Sequence, residues 1–422
     1  MKNKIAFVGL AAVLSRVAIC LTIVAACPSL VLAQAPAHPV YVCDRSGNAL
    51  YVIDPSTNKV VGTISGISTP QLIAFTPDGT KAYVTTYESS GPVYVIDVAS
   101  SSILTTVGTN GDNHGIAVSP DGQLVYVTNT DDPYIAIIST ATDTVVGWIQ
   151  LSSGSDDIVI SPDGTTGWAT NQYINTVSVL DLVNDVVVTT IPVGNFPLRI
   201  VELPDGSTLY VTNGSTISVI DTSSNTVTAT VAVNPDPWGI AVTADGKTLI
   251  VGSETSDYIS IVDTSTLTVT SVNIKLPSSG LSVTPVGVAY LASKHGDVVV
   301  WSNQTGKVVK RISTPGETMD AQVSPQPLAA TKTGLKTSGS PSQQGQPVTF
   351  TAEVTSKYGP IPDGETVTFY DGNNLMGTGQ LTGGVATYTT STLSVGKHVI
   401  EAAYPGDNAY AASTKTVNQV VK

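Results

Sequence analysis

The sequence predicts an all-β protein, a seven-bladed β-propeller followed by a smaller β-sandwich, and three observations carry that expectation. Four short patterns recur in fixed order at a period of about forty residues. Every copy is rich in Val, Ile, Thr and Tyr and is bounded by Pro, Asp, Gly or Asn, the composition of strands and tight turns. The period then stops near residue 325, where a different alternation begins. Four strands per forty residues is the signature of a propeller blade.

The first pattern is a strand running into a turn: Ile73-Ala-Phe-Thr-Pro-Asp-Gly79, Ile116-Ala-Val-Ser-Pro-Asp-Gly122, Ile158-Val-Ile-Ser-Pro-Asp-Gly164, Ile200-Val-Glu-Leu-Pro-Asp-Gly206 and Ile240-Ala-Val-Thr-Ala-Asp-Gly246. A degenerate copy, Leu281-Ser-Val-Thr-Pro-Val-Gly287, follows. The closing glycines lie 43, 42, 42, 40 and 41 residues apart. The second pattern runs through Tyr41-Val-Cys-Asp44, Tyr83-Val-Thr-Thr86, Tyr126-Val-Thr-Asn129, Trp168-Ala-Thr-Asn171, Tyr210-Val-Thr-Asn213, Ile250-Val-Gly-Ser253 and Tyr290-Leu-Ala-Ser293. The third ends in Asp54, Asp97, Ser139, Asp181, Asp221, Asp263 and Ser302, and the fourth is a β-branched run such as Val187 to Ile191. No Pro-Asp-Gly strand precedes Tyr41, but Met319-Asp-Ala-Gln-Val-Ser-Pro325 matches one at the far end. That segment is expected to complete the first blade and close the ring, which removes exposed sheet edges.

These residues resemble the YVTN β-propeller repeat family, from residue 41 to about 325. The resemblance implies the propeller fold and an exported or surface setting, but no single reaction. Similar propellers occur in lactonases and haem-bearing reductase domains, so the site must decide function. Beyond Pro325 and Pro327, alternation reappears in Val348 to Val354, Thr366 to Tyr370, Val385 to Thr389 and His398 to Tyr404. Some seven short strands suit a sandwich. The ending Ala403-Tyr-Pro-Gly-Asp-Asn-Ala-Tyr410 resembles bacterial immunoglobulin-like repeats, here without a Cys pair, and implies a spacer. The expected divisions are a leader at 1–33, the propeller at 38–325, a linker at 326–330 and the Ig-like domain at 331–422.

The leader follows from Met1-Lys2-Asn3-Lys4 and the apolar run Ile5 to Ala33, with Val31 and Ala33 placed for cleavage ahead of Gln34. An uncleaved anchor is the plainer alternative, and Val24-Ala25-Ala26-Cys27 resembles a lipobox that would lipidate Cys27. Export is expected in each case, and membrane attachment only with lipidation at Cys27 or retention of the leader. Cleavage after Ala33 removes Cys20 and Cys27 and leaves Cys43 alone, so no internal disulfide can form.

Charge is concentrated in the first domain. Residues 36–330 hold ten Lys/Arg against twenty-six Asp/Glu, whereas residues 331–422 hold six of each. Such an acidic surface excludes nucleic acid as a partner, because phosphate contacts need Lys and Arg. Asp78, Asp121, Asp163, Asp205 and Asp245 precede turn glycines, and Asp54, Asp97, Asp181, Asp221 and Asp263 open hairpins. Aspartate in these places bonds its own backbone, so a structural role is expected and not a metal or acid–base one.

The candidate site lies where loops enter the inner strands. Eight residues before each turn Gly stand Gln71, His114, Asp156, Leu198, Trp238 and Ser279, with Met319 aligned on its Pro. One position on stand Leu72, Gly115, Asp157, Arg199, Gly239, Gly280 and Asp320. His114, Asp156, Asp157, Arg199, Trp238 and Asp320 are thus expected to crowd one mouth of a central channel, a polar set with one stacking surface. The alternative is a solvated rim with Trp238 packed between blades. Apart from His38 near the mature terminus, the propeller holds only His114 and His295, no Cys-rich cluster, no phosphate loop and no Gly-x-Ser-x-Gly elbow. No catalytic residue, metal or cofactor is assigned, although a carboxylate-rich site could take calcium. The expectation is an exported monomeric binding protein whose ligand is a small molecule, a glycan or an envelope protein. A lactonase-like hydrolase using His114 with Asp156 and Asp157, or a purely structural surface protein, are the other readings.

Overall fold

A computed structural model describes residues 39–325, 331–356, 361, 363–405 and 413–422. The leader with Cys20 and Cys27, the linker 326–330 and most of the Ala403–Tyr410 ending lie outside the described residues. Within them every regular element is a strand, and no helix is long and apolar enough to cross a membrane.

From Val40 to Val323 the strands form seven four-stranded antiparallel sheets among the described residues. Their inner strands are Thr318–Val323, Pro70–Phe75, Asn113–Val118, Ile158–Ile160, Ile200–Glu202, Pro237–Val242 and Leu281–Val283. The first sheet joins the two ends of this region. Thr318–Val323 pairs with Val40–Asp44, with Val40 opposite Val323 and Cys43 opposite Asp320. Each inner strand packs on the next, and the seventh packs back on the first, so the array is a closed, propeller-like ring.

Packing between sheets follows from strand alternation, because a strand buried on both faces presents β-branched and aromatic groups to either neighbour. Seven apolar clusters fill the seven seams; the one that joins last sheet to first holds Val40, Val42, Tyr290, Val298, Val300 and Ala321. Each such side chain contributes about 1.5–3 kcal/mol when fully buried.

The repeated aromatic also clasps the seam with its polar end. Tyr83 donates to Asp143 at 2.6 Å, Trp168 Nε1 to Asn225 at 3.1 Å and Tyr290 to Asn58 at 2.7 Å. Each acceptor is a left-handed hairpin residue of the next sheet, with φ of 52°, 52° and 51°, a conformation that Asn and Asp tolerate. Lys81 adds an ion pair to Asp143 at 2.8 Å.

The Pro-Asp-Gly turns close the opposite end of the inner strands. Asp78 accepts from Thr80 N at 3.0 Å and from Thr76 Oγ1 at 2.6 Å, while Gly79 N donates to Thr76 O at 2.8 Å. Gly79 has φ of 66°, which explains glycine there. Asp121 and Asp163 repeat the arrangement.

The C-terminal region has two sheets around one core. Thr331–Thr337, Val348–Ser356 and Val385–Thr390 form one; Asn374–Gln380, Thr366–Asp371, Gly396–Tyr404 and Ser413–Val421 form the other. Phe350, Val367, Phe369, Ile400 and Tyr404 are buried between them.

Candidate functional site

The site arises where the inner strands begin, because regular pairing fails there. Register shifts fall between Pro70 and Ile73, Asn113 and Ile116, and Pro237 and Ile240. In the fourth, fifth and seventh sheets the inner strand starts only at Ile158, Ile200 and Leu281. The main chain is thereby released to turn side chains inward.

An outer tier is held by a directional chain of hydrogen bonds. Arg45 Nη2 donates to Gln71 Oε1. Gln71 Nε2 lies 3.2 Å from His114 Nε2, and His114 Nδ1 lies 3.0 Å from the carbonyl oxygen of Asp156. Since Gln71 is already accepting at its oxygen, its amide donates to Nε2 and the imidazole proton sits on Nδ1. The ring is therefore neutral. Burial and then Arg199 depress its pKa to about 3. The Asp156 carboxylate lies 3.6 Å from the same Nδ1, and burial raises its pKa to about 7 against the pull of Arg199. Trp238 meets His114 edge to face at 6.2 Å between centroids, with Arg199 and Lys294 5.3 and 5.4 Å from its own centroid. Lys294 pairs with Glu254 at 2.6 Å.

The inner tier holds Asp157, Arg199 and Asp320. Both carboxylates staple adjacent sheets. Asp157 accepts from Ile158 N at 3.0 Å and from Ile200 N of the next sheet at 3.2 Å. Asp320 accepts from Ala321 N at 2.9 Å, Gln322 Nε2 at 3.2 Å and Ile73 N of the next sheet at 3.3 Å. Burial raises both carboxyl pKa values, that of Asp320 to about 6, and Arg199 opposes the rise. Glycines let the tier close tightly: a Cβ on Gly115 would stand 2.5 Å from Asp157 Cα, and one on Gly239 2.2 Å from Ser279 O. Below this tier lies a cavity of about 350 Å³ walled by all seven inner strands, with Ile73, Ile116, Ile158, Ile200 and Leu281 on its sides.

Four polar atoms at the mouth have no hydrogen-bond partner: Asp156 Oδ2, Arg199 Nη2, Trp238 Nε1 and Arg45 Nε. Asp156 and Arg199 are 3% and 5% exposed, so water does not easily take up the deficit. An unsatisfied buried polar group costs about 1–3 kcal/mol, more for a charged one. Their convergence is an arrangement that a ligand can complete.

The other five expected residues gather around Arg199, in two tiers and not one. The solvated rim is corrected: His114, Asp156, Arg199 and Asp320 are buried. Trp238 stays partly open at the mouth. Sequence reading placed Gln71 in the ring without giving it a role, and missed Arg45, Tyr87, Glu254 and Lys294. Those four lie on loops between the second and third strands of their sheets, where the repeats leave no common motif. Among the described residues no three of His, Cys, Asp and Glu gather as a metal site.

Residues 335–422 match the family model of the bacterial Ig-like domain (group 3). None of the curated proteins matches the chain. Solved structures do. Hydrazine synthase of Kuenenia stuttgartiensis is similar at 23% identity and a TM-score of 0.55, over 66% of this chain and 93% of that one. A functionally unknown protein from Desulfotomaculum acetoxidans DSM 771 is similar at 17% identity and a TM-score of 0.61, over 68% and 99%. The dihydro-heme d1 dehydrogenase NirN, in complex with DHE, is similar at 16% identity and a TM-score of 0.55, over 68% and 75%. At these identities the likeness is one of fold.

Proposed function

We propose that this chain is an exported binding protein without catalytic activity, a seven-bladed propeller of the YVTN repeat type with its Ig-like domain as a spacer. The ligand is taken at the mouth around Arg199. Seven sheets in a closed ring support the blade count, and the Tyr-Val-Thr-Asn strands support the repeat type. Export rests on the leader pattern of residues 1–33, and the protein meets a membrane only if Cys27 is lipidated. The observation that carries the binding reading is that Asp156 Oδ2, Arg199 Nη2 and Trp238 Nε1 are unpartnered on side chains that pack around His114 and Trp238.

Hydrolysis fares worse on the same geometry. A general base needs a free nitrogen facing its substrate, and both nitrogens of His114 are engaged within the protein. Asp157 is engaged with two backbone amides.

The test is a thermal-shift screen of small molecules, glycans and envelope proteins against the full chain. A ligand specific for the folded state stabilises it by RT ln(1 + [L]/Kd). A hit weakened by Trp238→Ala or Arg199→Met supports the mouth as its site; a hit indifferent to both overturns it. Lactone opening abolished by His114→Ala would establish the hydrolase instead, and silence in both assays the structural role.

A further inference from the structure

We infer that the mouth takes an uncharged polyhydroxylated molecule, a single sugar unit either free or at the end of a glycan. This rests on the binding reading above and narrows it to one ligand chemistry. The unpartnered atoms comprise one carboxylate oxygen, which needs a donor, and three N–H groups, which need acceptors. A hydroxyl is both at once.

Charge argues against the ionic alternatives. An anion drawn to Arg199 would stand against Asp156, Asp157 and Asp320, which all lie within electrostatic reach of the same guanidinium. A cation drawn to Asp156 would meet buried Arg199, with Arg45 and Lys294 beyond it. A vicinal diol satisfies both sets without adding charge to a low-dielectric recess, where an uncompensated charge is costly.

The rim supplies the complement for a sugar's C–H faces. Tyr87 and Tyr173 are 54% and 61% exposed. Tyr87 carries Arg45 over its ring at 4.2 Å, which ties it to the Gln71–His114 chain. Tyr173 lies within electrostatic reach of Asp156 and Tyr87. Such amphipathic rings bind ligands that are apolar on one face and hydroxylated at the edge. Below Arg199 the cavity wall carries Ile73, Ile116, Ile158, Ile200 and Leu281 beside Gln322.

Calorimetric titration of the full chain tests this with D-glucose, D-galactose, D-mannose and N-acetyl-D-glucosamine, each beside D-glucuronate and D-glucosamine, and with an array of neutral glycans. At least one neutral sugar is expected to bind saturably, and the two charged probes to bind about tenfold or more weakly. Asp156→Asn and Trp238→Phe should each weaken the neutral sugar by about tenfold, while Asp121→Asn on the opposite rim leaves it unchanged. Circular dichroism establishes that each variant is folded. Response to the array alone assigns a terminal glycan residue; response to monosaccharides assigns the free sugar. Tighter binding of glucuronate or glucosamine, sensitive to Arg199→Met, would overturn the uncharged class of ligand and keep the mouth. Sugar binding indifferent to Asp156→Asn would overturn the placement, and silence of every neutral probe overturns the inference.

Discussion

At the Pro-Asp-Gly rim, Asp121 and Asp163 lie at the surface and accept from the hydroxyls of Ser119 and Ser161 before them and from the turn that follows, and those bonds hold their pKa values low. At the other end of the same inner strands, Asp156, Asp157 and Asp320 are drawn inward and their pKa values are raised by burial. Glu202 is an exception on the turn side, raised to about 7 by burial and then by Asp163 and Asp205. One residue type thus stabilises the fold at one rim and holds uncompensated polarity at the other. The difference lies in what the next residues do: a tight turn surrounds the carboxylate with its own amides, whereas a broken strand start leaves it to its neighbours across the seam.

Arg199→Met should break this contrast most. It removes the cation whose charge acts on Asp156, Asp157 and Asp320, at a cost of about 3 kcal/mol at pH 8. Urea denaturation should show a smaller loss at pH 5, where Asp156 and Asp320 are protonated; equal losses would mean that Arg199 acts through packing alone. Asp320→Ala comes next. It orphans the amides of Ile73 and Ala321, and the same measurement should show a loss of about 2 kcal/mol.

Proton linkage sharpens the contrast at smaller scale. Asp156, with a folded pKa of about 7, and Asp320, at about 6, take up protons in the folded state before the unfolded chain does. Their contribution is therefore fully present below the unfolded value and is lost as pH rises through the folded one. His114, held neutral, begins to oppose this only below its unfolded value of 6.5. Stability should accordingly fall from pH 6.5 to 8, and Asp156→Asn should flatten that fall while Glu202 retains part of it. An unchanged slope in the variant would contradict the assignment. The turn aspartates run the other way. Asp263, at about 2, contributes above the unfolded carboxyl value, and that contribution is lost as pH falls through its folded value. Asp263→Asn should lower the midpoint slightly at pH 7, and its difference from the parent should vanish as pH falls through the folded value, the smallest of the four effects.

The fold was legible because the repeat writes both backbone and seam. Tyr83, Trp168 and Tyr290 mark the second strand and are also the groups that reach the next sheet, and Met319 to Pro325 kept enough of the first pattern to show its place at the seam. The candidate site was legible as far as register carries. Counting back from the turn glycines found His114, Asp156 and Trp238 because the chain from mouth to turn keeps one residue count in these repeats, whatever the length of the paired strand. The division into two tiers was not legible, since the register breaks at Pro70–Ile73 and Asn113–Ile116 and alternation no longer sets direction there. Nor could the sequence tell Asp157 from Asp156. Only the amide of Ile200, forty-three residues away, distinguishes a stapled carboxylate from a free one.

The pairing of Val40–Asp44 with Thr318–Val323 also fixes the order of events as the chain is made. The first strand emerges long before its partner, and at about 5–20 residues per second the interval is on the order of tens of seconds. Closing so long a loop adds only slowly growing entropy, so delay and not stability is the hazard. Throughout it the first strand keeps one edge open. Two chains emerging side by side have the geometry to trade their last strands, each completing the other's ring.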